Sequence, residues 1–203
     1  MEKIAVGGGL PEGVVDLDNA PEDNLKSLAK AKGCGVEDIV ACILDRPRHE
    51  DLIKKVRDSG SRIMLISDGD ISGVMATSEE ASGVDIYLGS GGAPEGVLAA
   101  SALRCIGGQM QGRLTFRNDD ERIRAEHCGI TDFDRKYDLL DLANGDVMFA
   151  ATGVTNGTML NGVRRYSNGA KTHSLVMRSK SGTVRYIAAE HNFNQKTVFD
   201  LDN

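Results

Sequence analysis

Tryptophan is absent from this sequence of 203 residues, and aromatics together make up only 4% of it. A core cannot be built around large rings, so Ile, Leu, Val, Ala and Met must supply it. Cysteines are few. Cys34, Cys42, Cys105 and Cys128 stand far apart with no CxxC pair. That spacing leaves disulfides or zinc open but favours buried free thiols in a reducing compartment, the cytoplasm. Positive charge is in deficit: 24 Lys and Arg face 30 Asp and Glu, for a net charge of −6. Such a balance excludes a broad basic face, so no nucleic-acid partner is expected. Two or three local arginines can still hold a small anion. Long apolar runs are also missing. No stretch approaches the roughly 20 apolar residues that cross a bilayer, and the opening MEKIAVGGG lacks the pattern of a signal peptide. No membrane partner is expected.

What is there suffices for a core. Hydrophobic residues make up 40% and charged residues 27%, a globular composition. The 24 glycines call for tight turns and close backbone contacts. Residues 3–6 read as a strand and 7–9 as a turn rather than a ligand site. Residues 23–32 read as a helix with Leu25, Leu28 and Ala29 on one face. Residues 39–44 form a continuous apolar run, the mark of a strand buried on both faces. A helix over 49–58 follows, ended by Gly60. Then come a second buried strand (63–66), a helix (70–79) with Ile71, Val74 and Met75 inward, and a third strand (84–89). A glycine loop leads into a helix over 94–105, with proline at its start, and residues 110–116 read as a fourth strand. Beyond, residues 118–145 are polar and helical in parts, and 146–154 are apolar. Residues 171–179 and 183–189 flank Lys180-Ser181-Gly182 as a hairpin. The polar tail after His191 is expected to fray.

Strand–helix alternation with short loops predicts right-handed crossovers. The fold class is α/β: a mostly parallel central sheet flanked by helices, plus a C-terminal antiparallel hairpin. The chain divides into a lead-in (1–38), a parallel α/β substrate-binding core (39–117), and a helical connector with the hairpin (118–203). In such sheets ligands sit at the carboxyl ends of the strands, which singles out three loops.

The first loop is Asp45-Arg46-Pro47-Arg48-His49. Guanidinium forks fit phosphate oxygens. Cations at a helix start oppose its dipole, and a bound anion supplies the compensating charge. The bland reading is a solvated helix start. The second is Ser67-Asp68-Gly69-Asp70, whose carboxylates can accept from sugar hydroxyls or hold a hard cation, or where Asp70 simply caps the next helix. The third is Gly89-Ser90-Gly91-Gly92-Ala93-Pro94-Glu95-Gly96. Bare amides before a helix make an anion site. Glu95, in the first turn, can bind a divalent metal or merely offset the dipole. No GK[ST] follows, GxGxxG is absent, and no GxSxG elbow exists. His49, His127, His173 and His191 lack HxxxH spacing, so zinc is not expected. Residues 152–157 can add amides near the site or serve only as a turn.

Together the three loops are recognisable. Leu44-Asp45-Arg46-Pro47-Arg48-His49, Asp68-Gly69-Asp70, Gly91-Gly92-Ala93-Pro94-Glu95-Gly96 with Ala102-Leu103-Arg104-Cys105, and Ala151-Thr152-Gly153-Val154-Thr155 occur in order. On these motifs and the terminal hairpin the chain resembles the C-terminal portion of class II fructose-1,6-bisphosphatases, including fructose/sedoheptulose forms. The resemblance implies a layered sugar-phosphatase sandwich of the inositol/fructose bisphosphatase kind. It implies a hydrolase of gluconeogenesis that removes the 1-phosphate of fructose 1,6-bisphosphate, or acts on sedoheptulose 1,7-bisphosphate, with Mn²⁺ or Mg²⁺. Arg46, Pro47 and Arg48 match a substrate-binding segment. Asp68, Gly69 and Asp70 match one that contacts the sugar, Gly92 a backbone contact, and Glu95 a catalytic metal ligand.

The resemblance also carries a departure. Family members extend further at the N-terminus, where the remaining metal carboxylates lie. A hard cation wants about six oxygen ligands, and Glu95 supplies one carboxylate. This polypeptide alone is therefore expected to bind sugar phosphate without hydrolysing it. It is expected to self-associate as a homo-oligomer or to meet the N-terminal half. The alternative is a non-catalytic sugar-phosphate-binding or regulatory module.

Overall fold

A computed structural model describes residues 1–195. In chain order it contains β1 (Glu2–Val6), α1 (Pro21–Lys32), β2 (Val40–Leu44), α2 (Glu50–Asp58), β3 (Arg62–Ile66), α3 (Asp70–Ala76), β4 (Ile86–Ser90) and α4 (Ala93–Ile106). Next come β5 (Gln109–Arg113), α5 (Asp119–His127), β6 (Lys136–Asp138) and α6 (Leu139–Leu142). The chain closes with β7 (Met148–Thr152), β8 (Arg164–Tyr166), β9 (Gly169–Arg178) and β10 (Thr183–Asn192).

Local chemistry accounts for the boundaries. Helix α1 opens on Pro21 with Glu22 and Asp23 in its first turn and closes with Lys30 and Lys32 in its last, all favourable to the helix dipole. Gly33 ends it in the left-handed region, at φ 69°, and its N–H caps the carbonyls of Ala29 and Lys30. Helix α3 stops at Ala76, earlier than the spacing predicts, and the Thr77 hydroxyl there turns back to Val74 O at 2.8 Å.

Six strands form the first sheet in the order β3-β2-β4-β1-β5-β6. Strands β3, β2 and β4 pair in parallel. β1 lies antiparallel between β4 and β5, and β6 antiparallel to β5. β2, β3, β4 and β5 therefore share one direction, the mostly parallel arrangement that the alternation predicts. The first and last strands oppose it.

The packing is layered. One face of this sheet buries Ile4, Val6, Ile43 and Ile86 against Leu25 and Leu28 of α1 and Ile53 and Val56 of α2. The other face presents Ala5, Cys42 and Tyr87 to Val74 of α3 and Ala99, Ala100 and Leu103 of α4. Further residues of α4, Ala102 and Cys105, meet Phe149, Leu175 and Met177 of the second sheet, in which β9 pairs with β7, β8 and β10. Small residues on both sides of α4 let it serve two sheets at once. Each fully buried Leu or Ile contributes about 1.5–3 kcal/mol relative to exposure, so the layer of α1 and α2, rich in Ile, Leu and Val, carries much of the apolar stabilisation, while α4 joins the two sheets.

Three expectations are corrected. Residues 63–66 do not form a buried strand. β3 is the sheet edge, with Met64 38% and Leu65 44% exposed, because an apolar run records hydrophobicity and not the number of neighbours. Among the thiols only Cys42 and Cys105 are buried, while Cys34 and Cys128 are exposed, and all four are free. The fourth strand ends at Arg113 rather than at residue 116. The hairpin is present as β9 and β10, longer than its apolar alternation. Of the tail after His191, β10 continues to Asn192 and Phe193 N–H bonds Asn168 O at 2.9 Å; residues 196–203 lie outside the described residues. No described helix is long and apolar enough to cross a membrane.

Candidate functional site

Because β2, β3 and β4 run parallel, the loops at their carboxyl ends lie along one edge of the sheet. A backbone bond from Asp45 N to Ile66 O, 2.8 Å, ties the first loop to the end of β3. Arg46 is extended, and Pro47–His49 then form a single 3₁₀ turn that leads into α2. The Arg48 guanidinium reaches across to the third loop. It donates to Ser90 O from Nη2 at 2.7 Å and from Nε at 3.2 Å. Arg46 bends back to its neighbour, Nη1 donating to Asp45 O at 3.1 Å, and stays exposed.

In the second loop Gly69 adopts φ 85°, a conformation open to glycine, and its N–H donates to Asp68 Oδ1 at 2.8 Å. Asp68 is exposed. Asp70 begins α3, yet its carboxylate does not act as a helix cap. It pairs instead with Lys3, whose side chain is completely shielded from solvent. Nothing in the motif reading pointed to Lys3. The available signal was a lysine on the same side of a buried strand as Ala5, which demands a carboxylate partner inside the fold.

The glycines of the third loop have a role that the bare-amide reading did not foresee: each gives room to a neighbouring side chain. A Cβ on Gly91 would stand 2.6 Å from Asp70 Oδ2 and 3.2 Å from Lys3 Nζ. One on Gly92 would meet Glu95 Oε2 at 1.9 Å. Glu95 is exposed in the first turn of α4 and folds back over Gly92. Gly96 gives way first to the Met1 thioether, whose Sδ would stand 2.5 Å from a Cβ there, and then to the Lys3 stem, with Cε at 3.1 Å.

His49 is the second residue that motif reading missed. It is 3% exposed, and Nδ1 lies 2.8 Å from Leu44 O. Nε2 accepts from Ser90 N–H at 2.9 Å, with Ser90 Oγ at 3.1 Å. Accepting at Nε2 assigns the proton to Nδ1, which donates to Leu44. Burial, and then the nearby charges of Arg48 and Arg46, hold its pKa below the usual imidazole value, against the opposing pull of its hydrogen bond to Leu44 O.

An open cleft of about 490 Å³ lies on the glycine loop, with Arg48, Ser90, Gly91, Gly92, Thr115 and Arg117 among its walls. Arg117 extends from the segment after β5 and is held by Glu121, with Nε at 2.8 Å from Oε1. The structure thus brings Arg48, Gly92 and their loop to one cleft, with Asp70 abutting it through Gly91. Arg46 and Asp68 stand exposed on their own loops. The 152–157 loop does not join them. It closes on the second sheet, where Gly153 N bonds His173 O at 3.0 Å, and lines a separate cavity beside His173 and Arg164.

The sequence matches the family model described as bacterial fructose-1,6-bisphosphatase, glpX-encoded, over residues 1–191. The chain belongs to this family. Among its relatives is the D-fructose 1,6-bisphosphatase class 2/sedoheptulose 1,7-bisphosphatase of Synechococcus elongatus, 39% identical over 212 residues. That match takes in 98% of this chain and 61% of the relative. The protein of the same description from Microcystis aeruginosa is 37% identical over 214 residues, covering 99% of this chain and 62% of its own length. The chain thus spans less than two thirds of the curated relatives it matches. Class 2 bisphosphatase membership fits the layered architecture and the three strand-end loops.

A divalent cation of the kind the family resemblance implies needs more donors than this cleft gathers. Among the described residues no three His, Cys, Asp or Glu side chains gather as a metal-holding group. Glu95 offers one carboxylate, against the roughly six oxygens such an ion takes. These residues alone do not fit the ion.

Proposed function

We propose that this chain forms the sugar-phosphate-binding portion of a fructose-1,6-bisphosphatase that also takes sedoheptulose 1,7-bisphosphate. The observation that carries this reading is the union of Arg48 with the Ser90–Gly92 stretch at one open cleft. A guanidinium beside the Gly92 amide at a helix start is suited to a phosphate monoester; the Gly91 N–H is taken by Met1 O at 3.0 Å. Arg46 and Arg48 take the phosphate distal to the reacting one, with Pro47 stiffening their turn. Asp68 and Asp70 face the sugar hydroxyls around Gly69. Asp70 has one oxygen committed to Lys3, so only its second oxygen is free for that task.

Hydrolysis belongs to a larger assembly in this reading. Glu95 is one ligand of Mn²⁺ or Mg²⁺, and the remaining ligands come from outside these residues, either from the part of the family's length that the match leaves uncovered or from another copy. This chain's own work is to bind and orient the ester.

Calorimetric titration of the chain with fructose 1,6-bisphosphate tests the proposal. Saturable binding that is lost in Arg48→Ala and weakened by salt is expected, with no phosphate released when Mn²⁺ is added. Absence of binding at millimolar ligand sinks the assignment of the cleft. Release of phosphate by the chain alone sinks the division of labour.

A further inference from the structure

We infer that His49 is a positioning residue. It latches the arginine loop to the glycine loop, and thereby sets the place of Arg48 and, with the pairing of Gly91 to Met1, of the Gly92 amide. The inference rests on reading this cleft as the sugar-phosphate site. Adjacent residues of one turn grip Ser90 from both sides. The His49 ring holds its N–H, and the Arg48 guanidinium holds its carbonyl oxygen. The other nitrogen of the ring is fixed to Leu44 O, the last carbonyl of β2. Movement of Ser90 therefore moves the oxygen on which Arg48 rests, together with the amides that follow.

The backbone has been shaped to this ring. Gly89 has φ 153°, and a Cβ there would stand 3.2 Å from His49 Cε1. An apolar replacement at 49 would fill the space and leave both Leu44 O and Ser90 N–H unpaired. A core histidine with a purely structural role needs no such link between two ligand-bearing loops.

Protonation reverses the latch. A proton on Nε2 would oppose the Ser90 N–H, donor against donor. The charged groups about the ring are Arg46 and Arg48 on its own turn and Glu2 and Lys3 on β1, with Asp70 of α3 beyond Lys3. Burial together with the two arginines favours the neutral ring, so the latch is closed at neutral pH and opens on acidification below the ordinary histidine range.

The test reads the latch and the ligand separately. Hydrogen exchange of the Ser90 amide and the Arg48 Nε–H resonance are followed by NMR in the wild-type chain and in His49→Gln. Glutamine can accept from Ser90 and does not titrate. Wild type is expected to lose Ser90 protection by about tenfold on acidification, the worth of one hydrogen bond, and His49→Gln to show no step. The ratio of the wild-type Kd for fructose 1,6-bisphosphate to that of His49→Gln should rise by about fivefold between about pH 8 and about pH 5.5. Protonation of the ligand's phosphates near pH 6 cancels in this ratio. His49→Ala should weaken binding by about tenfold at about pH 8; if it fails to fold, the glutamine variant carries the comparison. A flat Ser90 profile in the wild type, or a Kd ratio independent of pH, overturns the latch. A Ser90 step without ligand binding in any variant supports the latch and overturns the assignment of the cleft.

Discussion

Lys3 and Asp70 join strand β1 to the first turn of α3 through an ion pair whose lysine side chain is wholly out of solvent. Gly91 stands where any side chain would strike it, and Gly96 where one would crowd Met1 Sδ and the Lys3 stem. The pair is thus the buried pivot on which the second and third loops meet. Lys3→Met leaves the Asp70 carboxylate without its cation, and should lower unfolding free energy by about 3–5 kcal/mol. Replacing both, by Lys3→Met with Asp70→Leu, should cost less than the single change. Urea denaturation measures both. A single-variant loss below about 1 kcal/mol would mean that Asp70 is well solvated without Lys3.

Two glycine substitutions, both with contacts far too close for a Cβ, should differ in kind. A Cβ on Gly7 would lie 2.3 Å from the Thr77 backbone oxygen, whereas one on Gly92 meets the mobile end of Glu95. Gly7→Ala should destabilise the fold by about 1–3 kcal/mol, the range for overpacking. Gly92→Ala should keep thermal stability within about 1 kcal/mol, while swinging the Glu95 carboxylate away and weakening sugar-phosphate binding. Paired melting and titration experiments separate the two effects. Equal loss of stability would refute the distinction.

Tyr87 is fully buried, and its hydroxyl has no hydrogen-bond partner among the described residues. Burial, followed by the nearby Asp70 charge, pushes its pKa upward, so the group stays neutral. Tyr87→Phe removes an unpaired polar atom and should leave stability unchanged or raise it by up to about 1 kcal/mol. A lower urea midpoint would show that the hydroxyl does find a partner.

Thiol reactivity should divide the cysteines two and two. Burial pushes the Cys42 thiol up to about 11 and also raises Cys105, whereas Cys34 and Cys128 are exposed. With a disulfide reagent at about pH 8, two thiols should react quickly in the native chain and four in denaturant. Rapid modification of Cys42 in the native state would mean that the layer between sheet and α3 opens readily.

Stability should also fall in mild acid through His49. Its folded pKa lies below the unfolded value near 6.5, so the unfolded chain takes up the proton first. The contribution is fully present above about pH 6.5 and disappears as pH falls through the lowered folded value. Asp16, whose pKa the Lys136 ammonium lowers in spite of partial burial, loses its contribution only in the more acidic carboxylate range. Denaturation midpoints should fall in a step as pH drops below about 6.5 in the wild type and show no such step in His49→Gln.

Sequence periodicity revealed most elements because each depends on neighbours close in the chain. The apolar run ending at Leu44 became a central strand, and Leu25 and Leu28 became the buried side of α1. The alternation on either side of Gly182 became β9 and β10. The same signal failed at Met64 and Leu65. Strand order is decided by pairing between distant segments, and among the described residues β3 has a partner on one side only. Likewise, the insertion of β1 between β4 and β5 is invisible in the short run from Glu2 to Val6.

The residues at the cleft divide in the same way. Their identities determined by themselves which chemistry is available: Arg46 and Arg48 bring guanidinium forks, Asp68 and Asp70 acceptors, Glu95 a carboxylate at a helix start, and Gly91 and Gly92 freedom from side chains. Tertiary structure alone decided how they are held. Lys3 lies 67 positions from Asp70, and His49 lies 41 from Ser90. No local pattern encodes such pairs. They exist because burial leaves a charge or a backbone N–H no water to turn to, and the fold must bring its partner from elsewhere in the chain.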